Sequence, residues 1–343
     1  MTPSTDHRPP CRQVALGVMR DRAGRVWLSR RRASVHQGGL WGFPGGGLEA
    51  GEDSRRALGR ELHEELGVTV LAARPLRTLA HHYADRGVLL HAWLVTRWRG
   101  RPRLREDTAG AWVAIDELAA WPMPAANHGI LQALRLPVVY AVTPEPGAAA
   151  GEARYLAMIR SALRAGLRLL YFRAPRAPPP RYLRLARALH ELCAAHGAEL
   201  LLDSRQPHAV AELPAGIQVC AAQLRATPSR PARPRVAASC HDPAELEQAA
   251  RLEADFALVS PVRATATHAE AEPLGWRGLR TLAAGAAMPV YALGGMRPGD
   301  LHRAWCCGAQ GIAMLSGLWQ GTDPGAVVRA CLRTADAAPD PPA

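Results

Sequence analysis

Apolar and polar positions along the 343-residue chain follow two different rhythms. From residue 12 to about 136, segments suited to half-buried strands are mixed with helical stretches. "QVALGVMRD" and "RVWLSRRR" read as strands separated by "RAG", a hairpin-like break. "LLHAWLVTRWRG" and "GAWVAIDEL" read as further strands, the second running into a helix. Between these groups Ser54–Leu66 predicts one long helix. At roughly 100° per residue, Leu58, Leu62 and Leu66 share an arc that faces the core. The mixture predicts an α+β domain with a mixed sheet between helices.

From Leu136 onward the rhythm changes. Short apolar runs recur: "VVYAVTP", "LRLLYFRAP", "ELLLDS", "GIQVC", "RVAASCHD", "FALVSPV", "PVYALGG" and "GIAMLSG". Helical stretches such as "EARYLAMIRSALRAG" and "RYLRLARALHELCAAHG" lie between them. Strands alternating with helices in this way predict an α/β domain, a (β/α)8 TIM barrel. The expected division is residues 1–135, residues 136–334 and a disordered tail, 335–343, reading "ADAAPDPPA".

Composition narrows the function classes. Hydrophobic residues make up 48% of the chain, ample for two packed cores. No apolar run approaches the roughly 20 residues that span a bilayer, so no membrane partner is expected. "MTPSTDHRPP" lacks the apolar stretch of a secretory signal, and the seven cysteines are scattered without a C-x-x-C pair. Reduced thiols in a cytoplasmic enzyme, with no zinc site, are the expectation. The net charge of +12 comes entirely from arginine, because the chain has no lysine. A dispersed arginine surface is expected rather than a nucleic-acid-binding patch. Schiff-base catalysis and a Walker-A phosphate loop are excluded.

The helix at 54–66 carries the first concentrated chemistry. Glu61, Glu64 and Glu65 span about one quadrant of it, with Glu52 just ahead. Like charges at these spacings repel by a few tenths of a kcal/mol per pair. A hard divalent cation turns that repulsion into coordination, and Mg2+ commonly bridges protein carboxylates to substrate phosphates. Gly46, Glu52, Arg60, Glu61, Leu62, Glu64, Glu65, Gly67 and Val68 fill all nine fixed positions of the Nudix box.

Residues 12–135 as a whole resemble Nudix hydrolases of the MutT type, the 8-oxo-dGTP diphosphatases, beginning at "LWGFPGG". The resemblance implies hydrolysis of a nucleoside triphosphate to the monophosphate and pyrophosphate, with Mg2+, or Mn2+ in its place, as cofactor. It implies that Glu61, Glu64 and Glu65 serve as ligands or base, assisted by the Gly45 and Gly46 carbonyls, with a further acidic residue at Glu106. Arg60 is expected to hold a neighbouring glutamate in place. Arg31 matches the phosphate-contacting arginine. His36, Gly42, Phe43, Pro44 and Gly45 match positions that line the nucleotide pocket, Phe43 being equally suited to the core, and Asp85 and Arg86 match a loop thought to close on substrate. At Gly42 the chain departs from members with an acidic residue there. Asn127, the only asparagine, falls at the base-reading position. Its alternative role is an N-cap for "HGILQAL".

Residues 137 to about 334 resemble thiamine-phosphate synthases and their thiazole tautomerase relatives, most specifically in "PVYALGGMRPGDLHRAWCCGAQGIAMLSGLW". Gly295, Leu315 and Ser316 match backbone amides that hold a phosphate in that family. Arg173, Thr265 and Thr267 also survive. The rest of the catalytic set does not. An expected Arg-Glu-Lys reads Arg173-Ala174-Pro175, and an expected Asn-Asp-Asp reads Asp203-Ser204-Arg205. A second metal aspartate is replaced by Gln223 or is missing, a lysine is His268, and the tautomerase histidine is Pro261. The expectation is a degenerate barrel that binds a thiazole or thiamine phosphate, with Asp203 left as a lone recruit for metal. The alternatives are a Nudix hydrolase acting on a thiamine-pathway diphosphate, and a barrel that senses a phosphorylated metabolite to regulate the hydrolase.

Overall fold

The computed structural model describes residues 11–83, 86–104, 109–148, 151–265, 270 and 272–337. Two compact units emerge, one up to Arg135 and the other spanning Leu136–Ala337. No helix among the described residues is long and apolar enough to cross a membrane.

The first unit contains β1 (Arg12–Met19), β2 (Val26–Arg30), β3 (Trp41–Gly42), β4 (Gly45–Gly47), α1 (Ser54–Leu66), β5 (Thr69–His82), β6 (Gly87–Arg99), β7 (Gly110–Val113) and α2 (His128–Arg135). One sheet has the order β4-β1-β6-β5, the other β3-β2-β7. β1 runs parallel to β6 and antiparallel to β4, so the first sheet is mixed. The turn at 21–24 forms as expected, with the Asp21 carboxylate accepting the Ala23 and Arg25 N–H groups at 2.9 Å. The two strands do not make a hairpin, however. A single Arg20–Val26 bridge joins them before they enter different sheets. The cause lies in burial: the last five residues of β1 are all buried, which requires cover on both faces. Gly17 allows part of that cover, because a Cβ there would sit 2.8 Å from Leu62 Cδ1 of α1.

Helix α1 occupies the residues its periodicity predicts, with Leu58, Leu62 and Leu66 fully buried. Asp53 caps it by accepting the Arg55 and Arg56 N–H groups at 2.9 and 2.8 Å. Gly67, at φ 68°, closes it in the left-handed conformation that favours glycine. The 14-residue strand β5 does not stand out in the sequence. Pro75 interrupts its alternation, and register shifts between Val70 and Ala73 and between Pro75 and Arg77 absorb the irregularity. "GAWVAIDEL" forms β7, followed by a 3-10 turn at Ile115–Ala120 rather than a full helix.

The second unit is a closed barrel of eight parallel strands: β8 (Val139–Val142), β9 (Leu169–Phe172), β10 (Glu199–Asp203), β11 (Gly216–Val219), β12 (Val236–Cys240), β13 (Phe256–Val259), β14 (Val290–Ala292) and β15 (Gly311–Met314). Each of the eight predicted runs supplies one strand. The helices are α3 (Glu152–Arg164), α4 (Pro179–Ala195), α5 (Pro207–Glu212), α6 (Ala221–Leu224), α7 (Pro243–Arg251), α8 (Gly275–Gly285), α9 (Leu301–Cys306), α10 (Ser316–Trp319) and α11 (Pro324–Ala337). Tyr140, Tyr171, Leu201, Phe256, Leu258 and Tyr291 fill the interior. Its buried polar atoms are paired: Tyr140 Oη donates to Gln218 Oε1 at 2.9 Å, and Gln218 Nε2 donates to Ser239 Oγ at 3.1 Å. Helix α11 continues to Ala337, so residues 335–337 of the expected tail are helical. Residues 338–343 lie outside the described residues.

Candidate active site

The short strand β4 and the helix α1 bring the glutamates to the Gly45–Gly46 backbone. Glu65 Oε2 accepts the Gly45 N–H at 3.1 Å. A Cβ at residue 46 would overlap the Glu61 carboxylate, so the absence of a side chain there is what lets that group lie against the strand. Arg60 braces the arrangement. Its Nη1 donates to Glu61 Oε1 at 2.9 Å and Glu64 Oε2 at 3.3 Å. Its other nitrogens reach Glu52 at 2.9 and 3.2 Å and the Gly47 carbonyl at 3.0 Å. Bonding to Glu52 first, then Glu61, raises the Arg60 pKa, and the same Arg60 contact holds the Glu52 carboxyl below its usual range. Glu52 is therefore committed to the brace and Glu61 is oriented by it.

Glu65 has the opposite electrostatics. Burial pushes its pKa up to about 7 against the pull of the Gly45 N–H, and the charge of Glu61 adds to the rise. Two carboxylates crowded so that one resists ionising present the charge deficit that a hard cation fills. Among the described residues no three acidic, histidine or cysteine side chains already form a closed metal-binding set. Glu64, whose side chain is 56% exposed, stays on Arg60. The donor types that suit a divalent ion are the Glu61, Glu64 and Glu65 carboxylates with the adjacent glycine carbonyls. Gly46→Ala tests this packing. Its backbone admits alanine, but the new methyl displaces Glu61, and kcat should fall about 10- to 100-fold with the fold retained. Unchanged kcat would show that the Glu61 position does not matter.

Arg31 faces the same centre. Its Nε and Nη2 donate to the His36 carbonyl at 3.2 and 3.1 Å, closing the loop after β2, and its charge acts on Glu65. The His36 ring meets Tyr83 edge-on at 4.8 Å, and Tyr83 meets His81 at 4.5 Å. Tyr83 and His81 thus join His36 in one ring cluster, whose signal in the sequence is the run "HHY" just before Asp85. Phe43 is only 3% exposed, and its side chain packs in the core with Leu16, Val18 and Leu28. Pro44 serves through its carbonyl, which accepts the Gly17 N–H at 2.8 Å. The Arg86 carbonyl accepts the Tyr83 N–H at 2.8 Å. Asp85 and Glu106 lie outside the described residues.

Asn127 is buried, 5% exposed, and its amide lies behind β3, where a Cβ on Gly42 would sit 3.5 Å from Nδ2. Its N–H donates to the Pro124 carbonyl at 2.9 Å. The 3-10 turn Ala125–Asn127 runs without a break into α2, which places Asn127 inside helical backbone rather than at an N-cap.

In the barrel, the surviving residues gather at the C-terminal ends of the strands. Arg173 follows β9, its N–H bonded to Thr143 Oγ1 at 3.0 Å. Gly294 and Gly295 follow β14 with φ of 105° and 65°. Side chains there would collide, Gly294 with Pro261 Cα at 2.9 Å and Gly295 with Arg263 Cβ at 3.0 Å. A Cβ on Gly317 would overlap the Met296 carbonyl, so the loops bearing Gly295 and Leu315–Ser316 approach closely. Thr265 borders this region; Thr267 lies outside the described residues.

Asp203 is engaged by neighbouring side chains. Oδ1 accepts the Arg205 N–H and Nε at 3.0 and 2.8 Å, while Oδ2 accepts Tyr171 Oη at 2.8 Å and Arg205 Nη2 at 2.5 Å. Burial would raise its pKa, but these bonds hold it below the usual carboxylate range. Gln223 is likewise engaged, accepting from Ser204 Oγ.

Comparison with known proteins divides the chain in the same way. A family model described as "NUDIX domain" matches residues 15–133, and one described as "Thiamine monophosphate synthase" matches residues 139–318. The 8-oxo-dGTP diphosphatase of Escherichia coli (strain K12) is 35% identical over 123 residues, covering 36% of this chain and 95% of that protein. The CTP pyrophosphohydrolase of the same organism is 34% identical over 113 residues, covering 33% and 84%. The thiamine biosynthesis bifunctional protein ThiM/ThiE of Symbiobacterium thermophilum is 31% identical over 179 residues, covering 51% of this chain but 37% of that protein.

Proposed function

The chain belongs to the thiamine monophosphate synthase family through its barrel and carries a Nudix hydrolase ahead of it, and from that premise we propose that the front domain hydrolyses 8-oxo-dGTP to 8-oxo-dGMP and pyrophosphate with Mg2+, or Mn2+ in its place. The reading is carried by one juxtaposition: the Glu61 and Glu65 carboxylates flank the Gly45–Gly46 backbone of the same unit that buries the Asn127 amide behind Gly42. The first can address phosphates through a cation, the second a base.

When bound, the divalent ion screens phosphate charge and lowers the pKa of water. The chain's own groups do the remainder. Arg60 fixes Glu61 against the strand. Arg31, held on the His36 carbonyl, adds positive charge beside the phosphates. A carboxylate of the cluster takes the proton of the attacking water. The bond broken joins the α- and β-phosphoryl groups, and the water oxygen ends on one product.

Base selection rests on the amide. Guanine presents O6 and N7 as acceptors, whereas the 8-oxo form carries a proton on N7. Asn127 can donate to O6 and accept from N7–H. With ordinary guanine, acceptor meets acceptor, at a cost of about 1–3 kcal/mol. Asn127→Ala should therefore lower kcat/KM for 8-oxo-dGTP about 10- to 100-fold and shrink its advantage over dGTP. An equal loss on both nucleotides would assign Asn127 to folding of the 125–127 turn alone.

The fused barrel favours a second reading, hydrolysis of a thiamine-pathway diphosphate by the same carboxylates. Turnover of the full chain on 8-oxo-dGTP, dGTP, CTP and thiamine diphosphate separates the two. Preference for thiamine diphosphate would replace the first reading.

A further inference from the structure

On the outer wall of the barrel, α8 and α9 enclose a cavity of about 390 Å3 lined by Trp276, Arg277, Arg280, Arg303, Cys306 and Cys307, a volume within the usual range for small-molecule sites. We propose that this groove binds a phosphate ester of an aromatic ring compound.

Several guanidinium groups of this unit rest on carboxylates: Arg181 and Arg184 on Glu152, Arg230 on Asp255, Arg235 on Glu199. Among the described residues no carboxylate lies within 4.0 Å of Arg277, Arg280 or Arg303. All three are exposed and line one depression. A phosphate offers the acceptor geometry that such groups lack here.

The floor suits a ring. Trp276 is half-buried, and Arg303 lies over it at 4.8 Å. A flat ligand can stack on the outer face of that guanidinium or on the exposed edge of the indole. The floor is also fixed in place. Arg263 packs over Trp276 at 5.4 Å and is anchored on Asp300 at 2.6 Å, so Trp276 does not need to reorganise when ligand arrives.

Cys306 gives a local readout, because it is exposed and lines the groove. Alkylation of Cys306 in the full chain would be followed by peptide-resolved mass spectrometry with guanosine monophosphate, thiamine phosphate or inorganic phosphate. At a probe concentration about ten times Kd, occupancy should slow alkylation of Cys306 about tenfold, while Cys11, exposed in the other unit, keeps its rate. The double variant Arg277→Ala/Arg280→Ala, checked for an unchanged melting curve, should lose the protection, and Arg303→Ala should weaken it. Whether guanosine monophosphate or thiamine phosphate protects at lower concentration identifies the source of the ring. Protection by inorganic phosphate at the same concentration overturns the ring requirement. Protection by none of the three at millimolar concentration, or protection that survives in the double variant, overturns the site.

Discussion

Glu61→Gln should lower triphosphate turnover by at least about a thousandfold and leave the fold intact. Glutamine keeps the shape of the side chain and an oxygen to accept from Arg60 Nη1, now at 2.9 Å from Glu61. The negative charge is lost, and only that charge is needed to hold a hard cation. Glu65→Gln gives the same loss of activity with an opposite effect on stability. Burial raises the pKa of the folded Glu65 carboxyl from its ordinary 4.5 to about 7. The folded state therefore binds the proton more tightly than the unfolded chain. Stability is lost as pH rises through the window from about 4.5 to about 7 and does not return above it. In chelator at pH 8, Glu65→Gln should be more stable than the unsubstituted chain by at most about 3 kcal/mol, with no advantage at pH 4. Steady-state kcat at saturating Mg2+ and denaturant melts at the two pH values check both parts. Near-normal turnover in either variant rejects the cation reading. A destabilised Glu65→Gln at pH 8 rejects the buried charge.

What could be read from the sequence depended on how locally each feature is encoded. Helix α1 was legible because its leucine arc, Asp53 cap and Gly67 stop all lie within 15 consecutive residues. The barrel strands were legible because six of the eight are short, fully buried runs, and burial leaves a mostly apolar signal. Strand β5 was not, since its pairing with β6 tolerates Pro75 and two arginines, Arg74 and Arg77, through bulges. The pairing of β1 was also hidden, because it is decided by cover from α1 and β6, both distant in sequence. At the site, charge types were visible but commitments were not. Nothing in "LLLDSRQ" shows that Arg205 turns back onto Asp203, and nothing in "WGFPGG" shows that Phe43 turns inward while its neighbour Gly42 meets Asn127.

That Asp203 contact governs the second large effect. The full chain should give no measurable condensation of a pyrimidine diphosphate with a thiazole phosphate, yet should still bind thiazole phosphate or thiamine phosphate at the barrel mouth. Departure of a diphosphate requires a cation and positive side chains around the leaving oxygens. Both oxygens of Asp203 are already occupied by Arg205 and Tyr171, so neither is available as a metal ligand. Arg205 is neutralised by the same contact, and Arg173 supplies donors but no ligand for Mg2+. Binding of a phosphate monoester makes smaller demands. The first turn of α10 leaves the Ser316 and Gly317 N–H groups without intrahelical acceptors. The Gly295 loop is drawn against them by the approach of Met296 to Gly317. Calorimetry in the Arg277→Ala/Arg280→Ala background removes any contribution from the outer groove. A coupled synthase assay on the unsubstituted chain completes the test. Robust condensation would mean that Asp203 releases Arg205 during turnover. Absence of binding in that background would leave the mouth without a ligand and the barrel with a structural role.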